Sequence, residues 1–333
     1  MSDTGVAIEK RSSLRALIDY LVKYQAIVVP VVALVSAFGI GAILIGLQGV
    51  NPLFAYQSLF KAAFGTSDGL LRTMQKTTPL ILSGLAVAIA LKVGLFNIGA
   101  QGQLMFGALF SAWVGFEFSA LPGILLIPLC LAMGILGGAM WASIAGLLKS
   151  YRGVHEVIST IMLNSIAYGV IEYLIANPLK EPDQSLLRTP PISENAYLPD
   201  FGFIPTGVII ATVSAFLLSL LLTRTVLGFK FNTVGKNKYA AGYAGIRIPR
   251  MVLTAMLFSG GLAGLGGAIE TLGVVHRYES GFNTGLGFDG ITIALLARGN
   301  PLGTVPAAIL VGALRAGATA VQFDYGIAPE IVD

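Results

Sequence analysis

The sequence is constrained most by its long apolar segments, which alternate with short polar breaks along almost the whole chain. Hydrophobic residues make up 55% of the 333 residues, and charged residues only 11%. Soluble domains carry about 25% charged residues, so a soluble fold of this size could not hide so much apolar surface. The sequence therefore predicts an all-α polytopic membrane protein, a helix bundle that has the bilayer as its main solvent.

Nine apolar segments are predicted to be membrane spans. They cover residues 26–47, 79–94, 103–118, 121–148, 157–176, 206–223, 251–274, 287–297 and 305–321. Residues 1–25 are polar and are predicted to form a cytoplasmic or interfacial N-terminal segment, so that residues 26–333 make up the transmembrane domain. By alternation, the proline-rich and acidic segment 178–205 is the longest outer loop, where a binding protein could dock or which only connects two spans.

The segment 224–250 is the one long polar break in the second half of the chain. It carries six basic residues and no acidic residue, and basic loops between spans stay in the cytoplasm. Residues 238–245 favour a short helix of small residues that ends at glycine. Two interpretations follow: the loop only sets topology, or its helix transmits force from a soluble partner.

A second polar break, residues 96–103, places amide side chains among glycines between two apolar segments. Glycines weaken a helix, and broken helices at membrane depth are tolerated where they line a cavity. The amides of Asn97, Gln101 and Gln103 both donate and accept hydrogen bonds, which suits an uncharged polar solute such as a nucleoside, and Phe96 could stack on its base. The alternative is a tight turn whose amides satisfy backbone groups.

Other polar residues fall inside the apolar segments. Thr160 and Asn164 are four residues apart and share a helix face, which predicts either bonds across helices or lining of a pathway. Four ionisable residues lie within or near predicted spans: Glu172, Glu270, Asp289 and Arg315. Such residues are expected to face the bundle interior or a water-filled path, with exposure at the membrane interface as the alternative for Glu270 and Asp289.

Small residues dominate the segment 260–267, where five glycines make one helix face nearly smooth. Glycines at this spacing let membrane helices approach closely, and contact within the chain is favoured over contact with a second chain.

The sequence offers no set of residues for chemistry. Gly228 and Gly235 are too widely spaced for a phosphate-binding loop, and Asn237 replaces its Ser or Thr, so the chain is not expected to hydrolyse ATP. A lone Cys130 and two distant histidines predict no catalytic, metal or cofactor site. The formal net charge of +4 lies mainly in loops, which indicates membrane orientation and no nucleic-acid binding.

Several separated motifs occur in the order found in one family. The segments FNIGAQGQLMFGA (96–108), GVHEVISTIMLN (153–164) and FDGITIALLARGNPLGTVPAA (288–308), together with Gly235, Ala240–Gly242 and Gly245–Ile246, resemble ABC-importer permeases that move sugars, branched-chain amino acids and nucleosides. The segment 51–65 looks like the nucleoside members in particular, and the resemblance extends from about residue 24 to the end of the chain.

The resemblance implies a non-enzymatic permease subunit for nucleosides in a bacterial inner membrane, with a simple sugar such as a pentose or a self-sufficient secondary carrier or channel as alternatives. The implied partners are an ATPase subunit that hydrolyses ATP, a second permease chain (identical or different), an extracytoplasmic solute-binding protein and the lipid bilayer. The family has a tenth span and a cytoplasmic C-terminus, so its last helix is expected to be missing here. Substrate-path candidates are Phe96, Asn97, Gln101, Gln103, Thr160, Asn164 and Glu270; ATPase-coupling candidates are Lys236, Lys238, Ala240, Ala241, Gly242, Gly245 and Arg247.

Overall fold

The structure is a computed structural model that describes residues 25–182, 184–282 and 285–326, with side chains from residue 32 onward. The predicted N-terminal segment 1–25 lies almost wholly outside the described residues. In the described part the helices are α1 Gln25–Leu47, α2 Pro52–Phe64, α3 Ser67–Lys92, α4 Ala100–Glu117, α5 Gly123–Arg152, α6 Glu156–Ala176, α7 Thr206–Arg224, α8 Val226–Lys236, α9 Lys238–Tyr243, α10 Ile248–Glu270, α11 Leu286–Leu296 and α12 Thr304–Tyr325.

The predicted all-α membrane fold is confirmed in outline. Among the described residues, six helices (α3, α5, α6, α7, α10 with its extension to Val275, and α12) are long and apolar enough to cross a bilayer. The count becomes seven if α1 and α2, which are bent by 117° relative to each other, form one span. The 18-residue α4 and the 11-residue α11 do not meet the same criterion, so nine spans stay a prediction.

The chain divides into two compact units. In its described part, the first unit holds α1, the first residues of α2 and the end of α12. Its bend is fixed locally, because Gly49 adopts a left-handed conformation and Asn51 Oδ1 accepts a hydrogen bond from the backbone N–H of Leu53 at 3.0 Å. The Tyr56 hydroxyl donates to the carbonyl oxygen of Phe38 at 2.6 Å, which ties α2 back to α1.

The second unit, residues 59–318, has α3 and α10 at its centre. In their most apolar windows 78% and 72% of the residues are buried, compared with 28% in α5, so α5 leaves a broad face for lipid. The predicted glycine face lies within this unit: a Cβ added at Gly264 would lie 2.2 Å from the carbonyl oxygen of Gly134 on α5, and one at Gly267 would lie 2.0 Å from that of Leu104 on α4. The glycines of α10 thus let three helices meet backbone to backbone, which confirms the predicted contact within the chain.

The start of the second predicted span was wrong by 12 residues. The span was predicted to begin at residue 79, yet α3 begins at Ser67, where the Thr66 side chain accepts a hydrogen bond from Gly69 N at 3.0 Å and caps the helix. Pro79 therefore lies inside α3 rather than at its beginning. The first turns of α3 are polar, so hydropathy alone does not mark them as part of the helix. The hydroxyls of Thr73 and Thr77 donate to the carbonyl oxygens of Ala63 and Thr73, which satisfies them within the chain.

The predicted outer loop 178–205 forms an ordered cap over the segment that follows α10. Backbone hydrogen bonds join Thr189 N to Tyr278 O at 2.9 Å and Ile192 N to His276 O at 3.0 Å. The Glu181 carboxylate binds the side chain of Arg188 at 2.5 Å and that of Arg277 at 3.3 Å. A short ribbon, β1 Asp200–Phe201 paired antiparallel with β2 Ile204–Pro205, then leads into α7.

Candidate functional site

The polar break between α3 and α4 lies inside the bundle. After α3 ends, Gly94 takes a left-handed conformation, and Gly94 N and Leu95 N bond to the carbonyl oxygens of Leu91 and Ala90 at 3.0 Å. The chain then turns back along α3. Asn97 is linked through the Ser259 side chain to the carbonyl oxygen of Ala86 on α3, and therefore lies near the level of Ala86. Ala86 lies six residues before the end of α3 at Lys92, which places Asn97 roughly 9 Å inside that end.

Asn97 is the centre of a closed hydrogen-bond network. Its Nδ2 donates to Gln103 Oε1 at 2.9 Å and to Ser259 Oγ at 2.7 Å, and the Ser259 hydroxyl donates on to Ala86 O at 2.6 Å. Its Oδ1 accepts from Gly99 N at 2.8 Å and from Gln103 Nε2 at 3.2 Å. Both donors and the acceptor of the Asn97 amide are therefore used within the chain, and the network joins α3, α4 and α10.

Two further amides cap helix N-termini at this level. Asn164 on α6 accepts from Gly102 N at its Oδ1 and donates to Ile98 O from its Nδ2, both at 3.0 Å. Gln101 Oε1 accepts from Gly287 N in the first turn of α11 at 2.8 Å. These bonds supply partners for backbone groups that the starts of α4 and α11 leave unmatched.

The predicted amides thus lie together, and we name Asn97, Gln101, Gln103, Asn164 and Ser259 the amide cluster. The first four have exposed fractions of 3% or less, and Ser259 is fully buried. In this conformation the amides bond to one another, to the Ser259 hydroxyl and to backbone N–H and carbonyl groups. Contact of these amides with a solute remains a proposal.

The other path candidates lie at different distances from the amide cluster. The Thr160 hydroxyl donates to Glu156 O at 2.7 Å in its own helix, and its Cβ would lie 3.0 Å from a Cβ added at Gly99, so Thr160 packs on the break without bonding to it. Phe96 is half-buried. Glu270 is 3% exposed and borders a crevice with Thr78 and Gly207, 11 residues or roughly 16 Å along α10 from Ser259.

The ionisable residues predicted within or near the spans have different surroundings. Arg315 Nη1 on α12 lies 2.7 Å from Asp289 Oδ2 on α11, and each side chain is about a quarter exposed. Glu172 on α6 is exposed rather than buried in the bundle interior, which corrects that expectation, and its Oε1 accepts a hydrogen bond from the Ser280 hydroxyl at 3.3 Å. Glu270 is buried rather than exposed at an interface, which corrects the alternative considered for it.

The basic segment 224–250, which we call the coupling loop, contains two helices. In α8, Thr225 caps the first turn by accepting from Gly228 N at 3.1 Å, and Phe231 and Val234 are fully buried. In α9, Asn237 Oδ1 accepts from Ala240 N at 3.0 Å. The predicted short helix over 238–245 is confirmed, and it ends where Gly245 adopts a positive φ of 75°.

The coupling candidates occupy two sides of α9. Ala241 is fully buried, so it seats the helix rather than meeting a partner in this conformation. The others are exposed: Lys236, Lys238, Ala240, Gly242, Gly245 and Arg247. Sequence reasoning missed the two most prominent side chains, Tyr239 and Tyr243, which are 85% and 96% exposed. Their spacing of four residues on a short basic helix was the signal available for them.

The fold and these two regions define a polytopic helical membrane protein with a polar break inside its bundle and a protruding basic loop. The sequence profile described as the permease component of branched-chain amino acid transport systems matches residues 69–332. The chain belongs to this permease family.

Individual relatives extend over nearly the whole chain. A guanosine ABC transporter permease protein of Bacillus subtilis is 37% identical over 92% of this chain and 90% of its own length. A nucleoside ABC transporter permease protein of Lactococcus lactis is 37% identical over 93% and 88%. A glucose ABC transporter permease protein of Haloferax volcanii is 32% identical over 91% and 83%.

Proposed function

We propose that this chain is the permease subunit that forms the translocation path for nucleosides in an ATP-driven importer of the bacterial cytoplasmic membrane. The observation that carries the proposal is the 37% identity, over nine-tenths of the chain, to relatives described as guanosine and nucleoside permeases. ATP is hydrolysed on a separate partner subunit, and a second permease chain completes the path.

The amide cluster is the proposed polar element of that path. It offers neutral donors and acceptors at membrane depth, which match the hydroxyls and base edges of a nucleoside without requiring a counter-charge. Because its bonds are closed within the chain in this conformation, solute passage requires that some of them be exchanged during transport. Phe96, Thr160 and Glu270 are proposed to line the path together with the cluster. Of these, Thr160 packs directly on the break.

The coupling loop is the proposed docking surface for the ATPase. Tyr239 and Tyr243 present two large, almost fully exposed rings, and buried aromatic anchors dominate many protein interfaces. Lys236, Lys238 and Arg247 flank them in the sequence, and 224–250 holds no acidic residue, so the partner surface is expected to be an apolar cleft with an acidic rim.

The proposed topology has nine spans. It counts the six long helices, α1 with α2 as one span, and the shorter helices α4 and α11. The N-terminus and the coupling loop lie in the cytoplasm under this topology, and the cap formed by 178–205 faces outward, where a solute-binding protein delivers its cargo. Labelling of single cysteines introduced at Tyr243 and at Leu186, both exposed, tests the two sides with an impermeant thiol reagent.

The function is tested by uptake of labelled nucleosides and simple sugars into cells that express all subunits of the importer. Uptake is expected for nucleosides and is expected to vanish without the ATPase subunit. The double variant Tyr239→Ala/Tyr243→Ala is expected to reach the membrane normally and to lose uptake at least tenfold. Tyr151→Ala is the matched control, since Tyr151 is 68% exposed but lies outside the coupling loop. Uptake that persists without any ATPase would overturn the proposal in favour of a self-sufficient carrier or channel.

A simple sugar is the second candidate substrate, because the glucose permease relative is 32% identical over 91% of the chain. The same panel decides between the two: saturable uptake of a pentose or hexose, without uptake of any nucleoside, would replace the nucleoside assignment and leave the ATP-driven mechanism in place.

A further inference from the structure

The coupling loop meets the end of α3, just before the polar break, in a close contact between backbone atoms. A Cβ added at Gly235, near the end of α8, would lie 2.2 Å from the carbonyl oxygen and 2.9 Å from the carbonyl carbon of Lys92, and 3.2 Å from Gly94 N. Real Cβ atoms do not come this close to a backbone, so only glycine fits while α8 rests on the end of α3. Gly94 faces the contact in turn, since its own Cβ position lies 3.6 Å from Gly235 Cα.

Gly94 and Gly235 are exposed, but buried residues lie next to them on both sides of the contact. On one side, α8 is capped by Thr225 and is seated by the buried Phe231 and Val234. On the other side, Val93 and Leu95 are at most 1% exposed and flank Gly94. Packed interiors transmit displacement because they have little free volume, and here there is no flexible side chain between the two backbones to absorb it.

The contact leads directly into the amide cluster. Asn97 follows Gly94 by three residues, and both donors and the acceptor of its side-chain amide are already used within the chain. A shift of Gly94 and Leu95 therefore strains the bonds that join Asn97 to Gln103 and Ser259 before it reaches any other polar group of the break.

We propose that Gly235 is a positioning residue that passes movement of α9 through the end of α3 to the amide cluster. This inference rests on the proposed function, in which an ATPase moves α9. It assigns the transmission to one backbone contact, Gly235 with Lys92 and Gly94, rather than to the long helices α7 and α10 that flank the coupling loop.

The test uses the complete importer reconstituted in liposomes, with a cysteine reporter at the break. The chain has one native cysteine, Cys130, which is fully buried, so Ile98→Cys supplies the reporter at a half-buried position beside Asn97. The rate of its alkylation is measured with and without ATP, and a second reporter at Ala244→Cys, an exposed position directly after α9, follows α9 itself. ATP is expected to change the alkylation rates of both reporters when Gly235 is not substituted.

Gly235→Ala is expected to abolish the ATP-dependent change at Ile98→Cys while the change at Ala244→Cys persists, and to lower solute transported per ATP hydrolysed at least tenfold. Gly169→Ala is the matched control, because this helical glycine on α6 has no atom within 4 Å of its Cβ position. An unchanged response at Ile98→Cys in Gly235→Ala would overturn the relay.

Val234→Ala provides a second test that introduces no clash. It removes buried methyl groups next to Gly235 and loosens the seat of α8, so the response at Ile98→Cys is expected to fall at least twofold. A full response in Val234→Ala would overturn the relay even if Gly235→Ala did not accumulate. Failure of the proposed function is distinguishable, because then the importer without substitutions would itself show no ATP-dependent uptake.

Discussion

Asn97 and Gln103 hold each other by a reciprocal pair of amide hydrogen bonds: Asn97 Nδ2 donates to Gln103 Oε1 at 2.9 Å, and Gln103 Nε2 donates to Asn97 Oδ1 at 3.2 Å. Both side chains are at most 1% exposed. A buried amide that loses its partner keeps the full cost of its desolvation, about 1–3 kcal/mol, so this pair is expected to behave as a unit.

A double-mutant cycle measures that coupling. Asn97→Leu removes the amide that both bonds of the Gln103 pair depend on, and Gln103→Leu leaves Asn97 with only Ser259 and Gly99 as partners, whereas the double variant removes both amides together. The two single changes are expected to sum to more than the double change, with an interaction free energy on the order of 0.5–3 kcal/mol. The measurement is unfolding of the purified chain in mixed detergent micelles. Strict additivity would show that the two amides find other partners when separated.

Asn164 is expected to stabilise the break independently of that pair. Asn164→Ala removes partners for both Gly102 N and Ile98 O, and a loss of about 1–3 kcal/mol is expected for each backbone group left unsatisfied, less any part that relaxation recovers. Asn164→Asp keeps the acceptor for Gly102 N but sets a second carboxylate oxygen against Ile98 O and a charge in a site that is 3% exposed, so it is expected to be destabilising as well.

The control for this series is Ser165→Ala, since Ser165 is adjacent in sequence and lies on the exposed side of α6. Thermal unfolding in detergent should rank the control as unchanged and Asn164→Ala as clearly less stable. Equal stability of these two variants would mean that water or another side chain replaces the Asn164 amide.

Features formed by residues close together in the sequence could be predicted, whereas contacts between residues far apart in the sequence could not. The amides of residues 97–103 and the helix over 238–245 were predictable, because glycines and polar residues interrupt apolar runs locally. Ser259 and Gly287 were not, because they lie 162 and 186 residues from the amides they bind, and nothing in their own surroundings marks them as partners. Ser259 sits in a run of small and apolar residues that predicts only helix packing.

The backbone contact of Gly235 was equally hidden. Sequence reasoning assigned Gly235 to a family motif but had no means to place it against Lys92, since a glycine required by close approach looks like one required by a turn. The burial of Ala241 was also hidden: it was grouped with the coupling candidates through the family motif, and its side chain is fully buried whereas the other candidates are exposed. One helical turn decides which side of a short helix faces inward, and a six-residue helix is too short for its periodicity to show this.

Acidification is expected to weaken, through His276, the cap that the segment 178–205 forms. Its ring stacks on Tyr197 with centroids 3.8 Å apart, and burial lowers the pKa of this histidine, against opposing effects of the Leu272 carbonyl and the Asp200 carboxylate. A histidine whose pKa is lower in the folded state binds protons more readily when unfolded. Stability is therefore fully present above the unfolded pKa of about 6.5 and is lost as pH falls through it toward the folded value.

The measurement is the midpoint of thermal unfolding at pH 7.5 and at pH 5. The midpoint is expected to fall on acidification, and His276→Gln is expected to reduce that fall. His155→Gln is the matched control, because His155 is exposed and remote from the cap in sequence. A pH dependence that is identical in His276→Gln and in the unsubstituted chain would assign the effect to carboxylates.

Gly264 and Gly169 should respond in opposite directions to the same substitution. Both are glycines in membrane-spanning helices, but a Cβ at Gly264 would lie 2.2 Å from Gly134 O and 2.9 Å from Gly138 Cα, whereas a Cβ at Gly169 meets nothing within 4 Å. Gly264→Ala must therefore push α10 away from α5, and a cost of at least about 1–3 kcal/mol is expected for overpacking that involves backbone on both sides. Gly169→Ala only removes conformational freedom from the unfolded chain, and a gain of roughly 0.5–1 kcal/mol is expected. Unfolding in detergent micelles measures both, and a stable Gly264→Ala variant would show that α5 and α10 can separate without loss of the fold.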